Sequence, residues 1–182
     1  MWQIGDSAPA PKFSVIARPN DWTKKVSPLT QTQTMQLDFW KGFSEFVDRN
    51  GSIVTKINAL RPQTSLGMTG LGRTGFSLHG TVSTSSNTGD HELRADLVIS
   101  GLDAAHYYDL LSAAREEIEE EFGGDLTWHN PDNTAQRKIC ARTSADFNDP
   151  DQRTQQYQWL LEKLEAVHRI LAPRVVALPV PE

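Results

Sequence analysis

Six residues, Gly70-Leu71-Gly72-Arg73-Thr74-Gly75, carry the GxGxxG spacing of a dinucleotide loop. Such a loop needs a strand before it and a helix opening at the third glycine, whose N-terminus holds the pyrophosphate. Directly after Gly75 stands Phe76-Ser77-Leu78-His79-Gly80-Thr81-Val82-Ser83, an alternating apolar and polar run. That alternation is a strand. The glycines therefore enter a β-hairpin, and no cofactor is expected. Gly72, Arg73 and Thr74 remain candidates for anion binding, because open backbone N–H groups and a guanidinium can hold a phosphate or carboxylate. The favoured alternative is that the glycines permit tight turns and Arg73 pairs with a nearby acid.

A metal-dependent nuclease needs one carboxylate on a strand and an Asp/Glu-x-Lys on the next, to hold Mg²⁺ and orient water. The nearest match is Glu92-Leu93-Arg94, with Asp90 or Asp96 as the second carboxylate. Arginine cannot deprotonate usefully and is a poor replacement for that lysine. Glu92, Arg94 and Asp96 read better as a solvated charge ladder facing Ser77, His79 and Thr81 across the hairpin. His79, Glu92, Arg94 and Asp96 are the polar sheet-face candidates.

The five histidines (His79, His91, His106, His129, His168) show no HxH, HExxH or Cys/His spacing, so no metal site is expected. His79 and His91 are placed to approach one another across the hairpin as a surface pair. The single cysteine, Cys140, excludes an intramolecular disulfide and fits a reducing cytosol. Within Arg137-Lys138-Ile139-Cys140-Ala141-Arg142 it reads as a packed or edge thiol, with no histidine nearby in sequence to make it a nucleophile.

These residues need elements to position them. At 182 residues, one domain is the default. Residues 1–30 read as an extended lead-in with a short strand at 13–17, residues 31–178 as one α+β domain, and 179–182 as a tail. The first helix spans about 34–50, with Met35, Phe39, Trp40, Phe43, Phe46 and Val47 at helical spacing and Gly51 as its cap. Its aromatic face reads as core rather than as a base-stacking surface. A short strand is possible near Ile53, with a Gly-rich loop after it. The hairpin covers about 74–84 and 91–99.

A second helix starts at Asp103 and runs to Phe122, stopped by Gly123-Gly124. Short strands come next at about 126–129 and 137–142. Asp149-Pro150 opens a third helix, with Leu160, Leu164, Val167 and Leu171 on its buried face and Pro173 at its end. The expected fold is a two-layer α+β sandwich: an antiparallel sheet with about three amphipathic helices on one face.

Charge narrows the partners. The net charge is -5. Residues 1–75 hold nine Lys/Arg against five Asp/Glu, and residues 76–182 hold nine against eighteen. An acidic chain is a poor general binder of phosphate backbones, although a basic N-terminal third could make a local contact. The run Glu116, Glu117, Glu119, Glu120 and Glu121 reads as the solvated side of a helix. No apolar run approaches a membrane span, and the N-terminus lacks the basic-then-apolar pattern of a signal peptide. A cytoplasmic protein is expected.

Gly72-Arg73-Thr74-Gly75-Phe76, Arg115-Glu116-Glu117-Ile118-Glu119, Trp128 after a strand, Asp149, Trp159-Leu160 and Pro173-Arg174 together resemble one bacterial and archaeal family. It is the domain of unknown function 4268 family. The lead-in Trp2-Gln3-Ile4-Gly5-Asp6 and Pro19-Asn20-Asp21-Trp22 resembles the segment preceding that domain in longer members. The resemblance implies an association with restriction-endonuclease-like modules, which often stand upstream of the domain. It transfers no catalytic residues. No upstream module is read in these residues, so a stand-alone subunit, a split-gene half or a truncated copy is expected.

Three functions are expected from these observations. The leading one is a non-catalytic accessory or interaction domain in a nucleic-acid-processing or defence system, partnered by a nuclease-like protein or by its own copy. The second is a direct nucleic-acid binder using Lys24, Lys25, Lys41, Arg61 and Arg73. The third is a cryptic metal-dependent nuclease using Glu92 and Asp96.

Overall fold

The computed structural model describes residues 28–53, 60–84, 91–132 and 134–180. Residues 1–27 of the expected lead-in with its strand, Lys24 and Lys25 among them, and the hairpin turn with Asp90 lie outside these residues.

Helix α1 (Gln31–Asn50) begins three residues earlier than the sequence suggested, because Thr30 and Gln33 form a capping box. The Thr30 hydroxyl accepts from the Gln33 N–H at 3.2 Å, while the Gln33 side chain accepts from the Thr30 N–H at 2.9 Å. Two orphan donors are satisfied at once. Gly51 takes a positive φ of 61° and closes the other end by donating to the Val47 carbonyl. Ile53 is exposed and is not in a strand.

Among the described residues, five strands make up the sheet: β1 (Ser65–Gly70), β2 (Phe76–Thr84), β3 (His91–Ile99), β4 (Thr127–His129) and β5 (Arg137–Ser144). They pair antiparallel throughout, in the order β1-β2-β3-β5-β4. Strand β1 corrects the Gly-rich loop expected there. Its Ser-Leu-Gly-Met-Thr-Gly sequence is poor in strand formers. Neighbouring β2 supplies the partner that intrinsic propensity does not.

Among the described residues the helices are four, not three. The expected second helix divides into α2 (Ala104–Ser112) and α3 (Arg115–Phe122). Ser112 donates its hydroxyl to the Asp109 carbonyl, and Ala114 leaves helical geometry at φ -102°, ψ 21°. A side chain competing for a helix carbonyl in this way favours interruption. Asp103 makes no side-chain cap. The last helix, α4 (Arg153–Ala177), starts later than expected, and Gln152 before it makes no side-chain cap. Asp149 instead stabilises the turn before it, accepting from the Asp151 N–H at 2.9 Å and the Gln152 amide at 2.7 Å.

Pro173 does not end α4; the helix runs four residues further. Proline has no N–H for the Arg169 carbonyl. The turn beyond it is held by burial of Val175 and by Arg174, which donates to the Ile170 carbonyl at 2.8 Å and binds Glu117 and Glu121 of α3 at 2.8 Å each.

One face of the sheet and all four helices share a single core. Leu78, Val82, Leu93, Leu97, Ile99 and Ile139 meet Phe39, Trp40 and Phe43 of α1 and Leu160, Leu164 and Val167 of α4. Phe39, Trp40 and Phe43 are fully buried, as their spacing predicted. Gly80 lets this happen, since a Cβ there would lie 2.9 Å from Met68 Cε and 3.1 Å from Trp40 Cη2. No helix among the described residues is long and apolar enough to cross a membrane.

Candidate functional site

With the core on one side, strand alternation directs Ser77, His79, Thr81 and Ser83 of β2 to the opposite face, beside Glu92, Arg94, Asp96 and Val98 of β3. Lys138, Cys140 and Arg142 of β5 continue the array. The register pairs His79 with Asp96, Thr81 with Arg94, Asp96 with Cys140 and Arg94 with Arg142. All four polar sheet-face candidates therefore share this face. Glu92 faces Ser83, and Ser77 faces Val98, so the expected ladder is shifted by one pair.

Asp96 is the centre. Its exposure is 0%, and that of Thr81 is 1%, so the ladder is not uniformly solvated as expected. Thr81 Oγ1 lies 2.8 Å from Asp96 Oδ2. Arg94 Nε stands 3.4 Å from Asp96 Oδ1, close enough to pair charges but not aligned as a hydrogen bond. Glu92 is held from two sides, by Arg94 at 3.3 Å and by Arg142. Glu92 and Asp96 thus each have a guanidinium partner. Among the described residues, no group of three or more His, Cys, Asp or Glu could hold a metal ion.

His79 connects this centre to the edge strand. Its Nδ1 is 3.2 Å from Ser65 Oγ and its Nε2 is 2.9 Å from Ser77 Oγ. Ser65 Oγ is in turn 3.1 Å from Thr81 Oγ1. Burial lowers the His79 pKa, Asp96 opposes that shift and Lys138 adds to it. Burial, with Asp96 beside it, pushes the Cys140 thiol up to about 11. This cysteine is a packed strand thiol whose sulfur lies 3.6 Å from the Thr127 carbonyl. It is a poor nucleophile at neutral pH, because the thiolate is the reactive form.

The expected His79–His91 pair does not form. His91 is opposite Thr84 and stacks on Phe147 with ring centres 5.9 Å apart. The odd separation along two paired strands puts the two rings on opposite faces.

Arg73 is engaged elsewhere. Its guanidinium donates to the carbonyls of Val175 at 3.3 Å, Leu178 at 2.5 Å and Pro179 at 3.0 Å, and to the Tyr107 hydroxyl at 2.9 Å. It pairs with carbonyls at the C-terminal end of α4 rather than with an acid, a favourable place for a cation. Gly72 and Gly75 take φ values of 79° and 89°, consistent with the turn role expected of them. Thr74 is exposed in that turn. Lys41 and Arg61 are exposed, on α1 and ahead of β1 respectively.

Ser65, Lys138, Cys140 and Arg142 are members of the polar array that sequence reasoning missed as a set. Ser65 lies on the unexpected strand, and the β3–β5 register has no hairpin turn to fix it. The alternation in Arg137-Lys138-Ile139-Cys140-Ala141-Arg142 is the signal that would have found the other three.

An antiparallel sheet with the described helices on one face and a charged array on the other defines an α+β domain with a polar platform. The chain belongs to the family described as a domain of unknown function, DUF4268, which matches residues 35–175. Residues that carried the resemblance act as ties within this scaffold. Glu119 accepts from Arg115 at 3.1 Å, from Trp128 Nε1 at 3.0 Å and from the Leu126 N–H at 2.9 Å. No functionally curated protein matches the chain in sequence. Among solved structures, it is similar to YbjN from E. coli, whose own description proposes a role as a transcription regulator. The identity is 12%, the TM-score 0.38, and the match covers 79% of this chain and 96% of that one.

Proposed function

We propose that this domain is a non-catalytic interaction module, and that the polar sheet face carrying Glu92, Arg94 and Arg142 is its contact surface. The observation that carries the reading is the two-sided hold on Glu92 by Arg94 and Arg142. It turns the carboxylate best placed for metal chemistry into part of a fixed charge pattern. A preformed pattern of opposite charges suits recognition of another macromolecule, where complementarity sets partner choice and register. The partner class is a nuclease-like protein of a cytoplasmic nucleic-acid-processing or defence system, or a second copy of the chain. The family resemblance implies an association with nuclease modules, and the assignment rests on that implication.

Direct nucleic-acid binding has less support, since Arg73 is spent within the fold and the net charge is -5. The test is incubation with labelled single- and double-stranded DNA in Mg²⁺, read on a gel and by anisotropy at low and near-physiological salt. The module leaves the strands intact. Mg²⁺-dependent cleavage that disappears in Glu92→Ala overturns the reading.

A further inference from the structure

The contacts Ser77–His79, His79–Ser65, Ser65–Thr81 and Thr81–Asp96 span 2.8–3.2 Å and run unbroken from β2 through β1 back to β2 and on to β3. We propose that they form one directional hydrogen-bond chain, which fixes neutral His79 as its Nδ1–H tautomer and makes the Ser77 end of the platform proton-responsive.

The argument is a count of hydrogens. Asp96, ion-paired with Arg94, can only accept, so Thr81 spends its single hydroxyl hydrogen on Asp96 Oδ2. The Ser65–Thr81 contact must then use the Ser65 hydrogen. Ser65 has none left for the ring, so His79 Nδ1 donates to Ser65 Oγ. His79 Nε2 is left as an acceptor and receives the Ser77 hydroxyl. Four contacts take four hydrogens.

The other tautomer fails this count. With the proton on Nε2, Ser65 must donate to Nδ1. Either two hydroxyl oxygens then face each other at 3.1 Å with no hydrogen between them, or buried Asp96 Oδ2 loses its donor.

Protonation changes only one end. Imidazolium donates from both nitrogens, so Nε2 gains a hydrogen and the Ser77 hydroxyl turns its own outward, while the Ser65–Thr81–Asp96 segment keeps its direction. Groups facing the ring are Ser65 and Gly67 of β1, Ser77 and Thr81 of β2, Asp96 with Arg94 beyond it on β3, and Lys138 of β5. Asp96 favours the new charge, whereas Lys138 opposes it. Ser77 thus presents an acceptor oxygen at neutral pH and a donor hydroxyl below the His79 pKa. The recognition consequence rests on the platform being the contact surface; the tautomer assignment does not.

Long-range ¹H–¹⁵N correlation spectra of the ¹⁵N-labelled full chain read the tautomer directly, with no partner present. At neutral pH, His79 shows a protonated Nδ1 and an unprotonated Nε2, whereas Thr81→Val, which frees the Ser65 hydrogen for Nδ1, admits the Nε2–H form as well. Ser65→Ala, which removes the acceptor for Nδ1–H, likewise admits the Nε2–H form and serves if Thr81→Val does not fold. A wild-type ring protonated at Nε2 overturns the proposal. So does a ring that stays wholly Nδ1–H in the variants. A platform that binds no partner, with the tautomer as assigned, overturns only the contact-surface reading.

Discussion

Arg73 sits over Tyr107, its guanidinium carbon 4.6 Å from the ring centre, while one of its nitrogens reaches the Tyr107 hydroxyl at 2.9 Å. The same guanidinium holds three carbonyls at the end of α4, so one side chain joins the β1–β2 turn, α2 and the last helix. Arg73→Ala lowers the unfolding free energy by about 2 kcal/mol, within the range of hydrogen bonds to charged groups. Arg73→Lys recovers little of it, because an ammonium cannot reproduce the planar fork. Urea denaturation of the three proteins checks this. Equal stability of Arg73→Ala and wild type contradicts the role.

His79 makes stability depend on pH. Its folded pKa lies below the ordinary value of 6.5, chiefly through burial. The unfolded chain therefore takes up this proton first as pH falls, and stability drops below about 6.5 until the folded pKa is reached. Unfolding free energies at pH 7 and pH 5.5 give a smaller difference for His79→Gln than for wild type. An equal or larger difference in the variant contradicts it.

Cys140 behaves in the opposite sense at high pH. The unfolded thiol ionises near 9, whereas the folded one holds its proton to about 11. Stability attributable to Cys140 is lost as pH rises between those values, and Cys140→Ala lacks that component. At pH 8, iodoacetamide labels the native protein far more slowly than the urea-unfolded chain. Comparable rates would show that the thiol is not shielded.

Much of this architecture was legible in the sequence, for reasons that can be named. Phe39, Trp40 and Phe43 recur at a spacing only a helix can bury on one side, and Leu93, Ala95, Leu97 and Ile99 alternate as only a half-covered strand does. Strand β1 was not legible, because Ser65 and Gly67 have no strand preference of their own and pair only when β2 is present. Pro173 pointed to a helix end, whereas long-range contacts of Arg174 hold the turn beyond it. The candidate site was half visible. His79, Glu92, Arg94 and Asp96 are set by hairpin alternation, but burial of Asp96 and the hold of Arg142 on Glu92 depend on a pairing with β5 that lies some 45 residues away in sequence.

The measurement that tests the central claim most directly pairs Mg²⁺-dependent cleavage assays of wild type and Glu92→Ala on labelled single- and double-stranded DNA. The account predicts intact strands with both proteins, since Glu92 is tied to Arg94 and Arg142 as part of a recognition surface. Cleavage by wild type that vanishes in Glu92→Ala would contradict it and make the Asp96 face a catalytic centre.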